Sequence, residues 1–239
     1  DYVDSYYSSV KDINNNTSFS GDLTVSVESD KCIFTTNAIP NHDFNDGSVS
    51  FTNKVKAQSN IYQLSTSPIV ATSTTALSLG TDNAIFLNGV KLDLLAAACY
   101  GVNVGTGPGK DKLGEEKIGC NDMSEDFRYD PMSPTNNFGV DTHNAHAQPD
   151  GTYHYHGSPK TLFDEGGTIE SPVIGFAADG FPIFGSYIND DGTIRKVKAS
   201  YKLKTGSRGE TSSSNPGGNY DGRFIDDYVY EKGLGDLDE

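Results

Sequence analysis

Apolar residues in this chain come in short alternating runs cut by turn-forming residues, a pattern that favours strands and leaves little room for long helices. Gly, Asn, Ser, Thr and Asp are abundant throughout, and each supports turns for its own stereochemical reason. Leu23, Val25 and Val27 fall on one face of a strand. Cys32-Ile33-Phe34 opens a second strand, expected to run into residues 37–43. Residues 48–64, with Val49, Phe51, Val55 and Tyr62 between polar neighbours, again suit strands. Ile85-Phe86-Leu87 is a short apolar strand that ends at Asn88-Gly89, a tight-hairpin dipeptide. Asn189-Asp190-Asp191-Gly192 marks a further hairpin. Residues 90–100 suit either one helical turn or a buried strand, residues 123–132 a short helix, and residues 224–230 an alternating strand. The predicted class is mainly β: a single β-rich domain of packed antiparallel sheets with long loops and few short helices. Residues 1–20 are expected to form a polar lead-in, and residues 21–239 the domain itself.

The net charge of −15 repels phosphate backbones and anionic membranes, which argues against nucleic acid as a partner; it attracts cations. No run is long and apolar enough to predict a membrane span. The start at Asp1, without an initiator Met, reads as a mature or trimmed terminus. Cys99 and Cys120 flank a Gly-rich loop, and a disulfide closing it is expected; Cys32 is then the odd one, either buried and free or paired outside this chain. Cysteine use and polar composition together predict a secreted, extracellular or periplasmic protein. Overlapping glycosylation sequons occur at Asn15-Asn16-Thr17 and Asn16-Thr17-Ser18.

Several motifs fail on spacing. Gly105-Thr106-Gly107-Pro108-Gly109-Lys110 is followed by Asp111, where a phosphate loop needs Ser or Thr, and Val104 stands where its first Gly belongs. There is no G-x-S-x-G elbow and no H-E-x-x-H. Counting back from Gly192 puts Tyr187 at the first ligand position of a calcium loop, which excludes an EF-hand.

The histidines are the informative feature. His143, His146, His154 and His156 fall close together, and His42 stands apart. His154 and His156 are two residues apart, so on a strand both project from one face, about 6–7 Å apart at the backbone. Tyr153 and Tyr155 then face the core. Asp150-Gly151 is a turn that brings His146 back over His154 and His156. Three imidazoles without a cysteine suit zinc or copper. The competing reading is a set of histidines that only hydrogen-bond tyrosines and backbone.

The stretch Asn144-Ala145-His146-Ala147-Gln148-Pro149-Asp150-Gly151-Thr152-Tyr153-His154-Tyr155-His156-Gly157 closely resembles the signature of the YHYH-domain family. The likeness extends to Ile39-Pro40-Asn41-His42-Asp43, to Leu87-Asn88-Gly89-Val90 and to Ile174-Gly175-Phe176-Ala177-Ala178-Asp179-Gly180-Phe181-Pro182-Ile183. It implies an extracellular protein in which a metal, copper above all, is the leading idea. It draws His42 into the metal set with His146, His154 and His156. It ranks His143 lower and gives Asp179 two readings, an acceptor that orients an imidazole or a turn-forming residue before Gly180. Similar chains run past residue 239 into a Cys-containing segment, so truncation there, and a lost partner for Cys32, are expected.

Three functions fit. The first is a secreted metal-binding protein, for copper capture or handling. The second is a metal-dependent oxidoreductase or hydrolase using the same histidines, with Tyr153, Tyr155 or Asp141 as auxiliaries. The third is a self-associating extracellular structural, filament or surface-matrix subunit.

Overall fold

The computed structural model describes residues 2–48, 50–101, 120, 123–136 and 138–236. The Gly-rich segment 102–119 and Val49 therefore lie outside the described residues. The chain folds into two compact units, residues 1–94 with 139–194, and residues 95–138 with 195–239. The architecture is mainly β, as expected.

In the first unit, strands β1 (Asp4–Asp12), β2 (Thr17–Glu28), β3 (Lys31–Thr36) and β4 (Asn60–Ser65) form an antiparallel meander. The alternation in β2 works as read for Leu23 and Val25, both buried, but Val27 is 51% exposed, next to the turn that starts at Ser29. β3 stops at Thr36 rather than continuing to residue 43. Ala38 takes the left-handed conformation (φ 57°), and the Thr36 hydroxyl accepts the Ala38 N–H, turning the chain. Residues 50–59 are not strand either; Phe51 and Val55 enter the core from irregular backbone.

The second sheet of this unit holds β5 (Ala84–Phe86), β6 (Lys91–Leu92), β7 (Ala145–Ala147), β8 (Tyr153–Tyr155), β9 (Val173–Ala177) and β10 (Pro182–Phe184), in the order β10-β9-β5-β6-β8-β7. Every pairing is antiparallel except β6 with β8, which is parallel. Residues 91–92, in the stretch that suited either state, are strand. Asn88-Gly89 closes the β5–β6 hairpin; Gly89 has φ 79°, and a side chain there would collide with Thr36. Phe44, Phe51, Phe86, Val90, Tyr153, Tyr155 and Ile174 form one core cluster, while Leu23, Val25, Phe34, Leu64 and Ile85 form another.

β11 (Tyr187–Asp190) and β12 (Thr193–Lys196) make the expected hairpin. Its two central residues, Asp191 and Gly192, have φ 49° and 90°, as a tight turn between twisted strands requires.

In the second unit β13 (Tyr201–Leu203) pairs with β14 (Tyr228–Tyr230). The Cys99–Cys120 disulfide is present, and Cys32 is free and half-buried. Residues 123–132 contain turns and the bridging residues Arg128 and Tyr129 instead of a helix. Residues 224–230 are strand only from Tyr228. The Asp227 carboxylate accepts the N–H groups of Gly222 and Phe224 and the Arg208 guanidinium, which bends 225–227 into a 3-10 turn. A second 3-10 turn covers Lys160–Leu162.

Candidate metal centre

The β7–β8 hairpin is set by polar side chains at both ends. At its tip the Asp150 carboxylate accepts the Thr152 N–H (2.8 Å), and Gly151 has φ 95°. At its base the buried Asp141 carboxylate takes the N–H groups of Asn45, His143 and Ala145 and the hydroxyl of Tyr153. Between them the register places His146 directly opposite His154, with Ala145 opposite Tyr155. Period-two alternation then puts His156 beside His154 on the same face.

The three imidazoles converge through Nε2. His154 Nε2 lies 3.1 Å from His156 Nε2, and His156 Nε2 lies 3.0 Å from His146 Nε2. The rings of His154 and His156 stand edge to face, as do those of His146 and His156. His154 and His156 are 3% and 5% exposed, so water cannot dissolve the cluster, and His146 is half-buried.

The opposite ring nitrogens fix the tautomers. His156 Nδ1–H donates to the Asp93 carbonyl (2.5 Å) and His154 Nδ1–H to the Thr152 carbonyl (3.3 Å). Both Nε2 atoms therefore present lone pairs, and two lone pairs about 3 Å apart repel unless a cation lies between them. A tetrahedral ion with metal–nitrogen bonds of about 2.0–2.1 Å holds its ligand nitrogens roughly 3.3 Å apart. The triad, whose ligand atoms all lie within 4.8 Å of one another, can hold a metal ion. Orientation of ligating histidines by backbone carbonyls is the usual support for such a site.

Electrostatics favour the neutral, ligating form. Burial lowers the pKa of His156 to about 3 and that of His154 well below the ordinary range, with the neighbouring imidazoles adding to both shifts. Lys91, the register partner of His154 on β6, contributes in the same direction; its ammonium pairs with Asp82 (2.7 Å) and Asp93 (2.9 Å).

The other face of β8 carries a separate polar network. Tyr155, fully buried, donates its hydroxyl to His42 Nε2 (2.6 Å) and accepts from the Asn88 amide (2.9 Å). His42 Nδ1–H donates to the Asp43 carbonyl (2.7 Å), and burial lowers the His42 pKa to about 4. His143 stacks on His42 with ring centres 4.0 Å apart and faces Asp46 at 3.4 Å. The structure thus brings together His146, His154 and His156. It places His42 and His143 with the tyrosines and Asp141 behind the strand. Asp179 sits exposed in the β9–β10 turn, accepting the Phe181 N–H. The supports that sequence reading missed are Asn88, Lys91, Asp46 and the carbonyls of Asp93 and Thr152. Asn88 had a visible signal, its place in a resembling motif, whereas a backbone carbonyl has none.

Fold and site together define a β-rich protein with a three-histidine centre on a short hairpin. Residues 61–239 match the family described as YHYH protein, and the chain belongs to that family. No curated protein and no solved structure matches the chain.

Proposed function

We propose that this is a secreted metal-binding protein that captures a divalent first-row transition ion, copper ahead of zinc, through His146, His154 and His156. The observation that carries the reading is the convergence of three Nε2 atoms, two of them held as lone-pair donors by carbonyls on their far nitrogens. A ligand set of neutral imidazoles without thiolate suits copper(II) and zinc, and at equal availability copper binds more tightly. The Cys99–Cys120 disulfide fits an oxidising compartment, and among the described residues no helix is long and apolar enough to cross a membrane. Three protein ligands leave the ion a further coordination position for water or an exchange partner. Capture and handling need no more than this.

The test is metal analysis of protein prepared without chelator or histidine tag, beside His154→Ala/His156→Ala. About one copper or zinc per chain, lost in the variant, supports the reading. An apo protein that takes up neither ion on reconstitution overturns it.

A further inference from the structure

A cleft of about 450 Å³ opens in the first unit at the edge strand β4, lined by Asn60, Tyr62, Asp82, Lys91, Gln148 and Asp150 among others. That volume lies in the range that small-molecule sites occupy, but the wall is almost wholly polar, unlike the apolar lining such sites usually have. Its groups are mixed in kind. The amides of Asn60 and Gln148 both donate and accept, the carboxylates accept, and the ammonium donates.

Charge narrows the ligand class. Two carboxylates against one ammonium leave the named lining with one net negative charge. The Lys91 ammonium is held between Asp82 and Asp93, and the Asp150 carboxylate takes the Thr152 N–H. A charged ligand would have to compete for groups that already have partners, and the chain's net −15 adds a general repulsion of polyanions. An apolar ligand would strand the amides and carboxylates without water. A neutral ligand dense in hydroxyls meets both donors and acceptors, the Tyr62 hydroxyl beside Asn60 and Asp82 among them.

We propose that this cleft is a binding site for a neutral oligosaccharide. It adjoins the histidine hairpin: Thr152 also lines it, and the Thr152 carbonyl receives His154 Nδ1–H. The proposal does not depend on the metal reading.

The test uses the full chain in NMR titrations with hexamers of β-glucan, α-glucan, xylan, mannan and chitin, beside polygalacturonate and chitosan oligomers as acidic and basic counterparts. At least one neutral hexamer is expected to bind with a Kd below about 1 mM. Gln148→Ala, a substitution in a turn, is expected to weaken it about tenfold with an unchanged melting curve, and Tyr62→Ala to weaken it further. His154→Ala/His156→Ala is expected to keep saccharide binding, which separates this proposal from the metal one. Failure of every neutral hexamer, binding of the charged probes alone, or binding unchanged by both Gln148→Ala and Tyr62→Ala overturns it.

Discussion

His154 and His156 each commit Nδ1 to a backbone carbonyl, so each has only Nε2 left for a ligand. This makes the two histidines unequal to any ordinary surface pair in their response to pH. An unfolded histidine takes up a proton near its ordinary value of 6.5, whereas folded His42 and His156 do so only near 4 and 3. Between those limits the unfolded chain carries protons that the folded one lacks, so the metal-free protein loses stability as the pH falls from about 6.5 towards 4. Below both folded values the loss levels off. The slope is up to about 1.4 kcal/mol per pH unit for each such histidine. Urea unfolding of apo protein at pH 7, 6, 5 and 4 should show the decline, and His42→Gln should flatten it. A stability independent of pH over that range would contradict the assignment of neutral buried imidazoles.

At the scale of elements, the hairpin β7–β8 carries the site, and Asp141 organises its base with four accepted hydrogen bonds. Asp141→Ala leaves the Tyr153 hydroxyl and several amides without their acceptor, at a cost of about 3–5 kcal/mol, readable as a lower urea midpoint. At the tip, Gly151→Ala forces a side chain onto φ 95° and against Lys56 and Lys54, with a loss of about 1–3 kcal/mol by the same measurement. The H-x-H spacing and Asp150-Gly151 gave the common face and the reversal, because period and turn chemistry are local. The division of the five histidines between the two faces of β8 was not legible. His42 arrives from a loop more than a hundred residues earlier, and only the packing of that loop on Tyr155 decides its side. The broken strands at 37–43 and 224–227 escaped for a related reason. Each is ended by one side chain, Thr36 or Asp227, bonding to nearby backbone amides, and alternation does not report that.

On the scale of the whole molecule, each of the two units has its own means of support. The second relies on the Cys99–Cys120 bridge and on Arg208, whose guanidinium is nearly buried against Asp227 and over the Phe224 ring. Closing a loop with a sequence separation of 21 contributes about 3 kcal/mol. Reduction should therefore lower the melting midpoint, while the triad, which lies in the first unit, keeps its metal stoichiometry. Calorimetry and metal analysis on the same reduced sample check both halves. Asp227→Ala takes the buried carboxylate from Arg208, leaving it only the exposed Asp221, and strands the Gly222 and Phe224 N–H groups; it should cost about 3–5 kcal/mol, seen as an earlier unfolding transition. The three-imidazole ligand set is read out by anomalous diffraction at the copper or zinc edge from metal-loaded crystals. One strong peak is expected, about 2.0–2.1 Å from the Nε2 atoms of His146, His154 and His156. A peak at the His42–His143 pair, or none above noise in crystals of loaded protein, would contradict it.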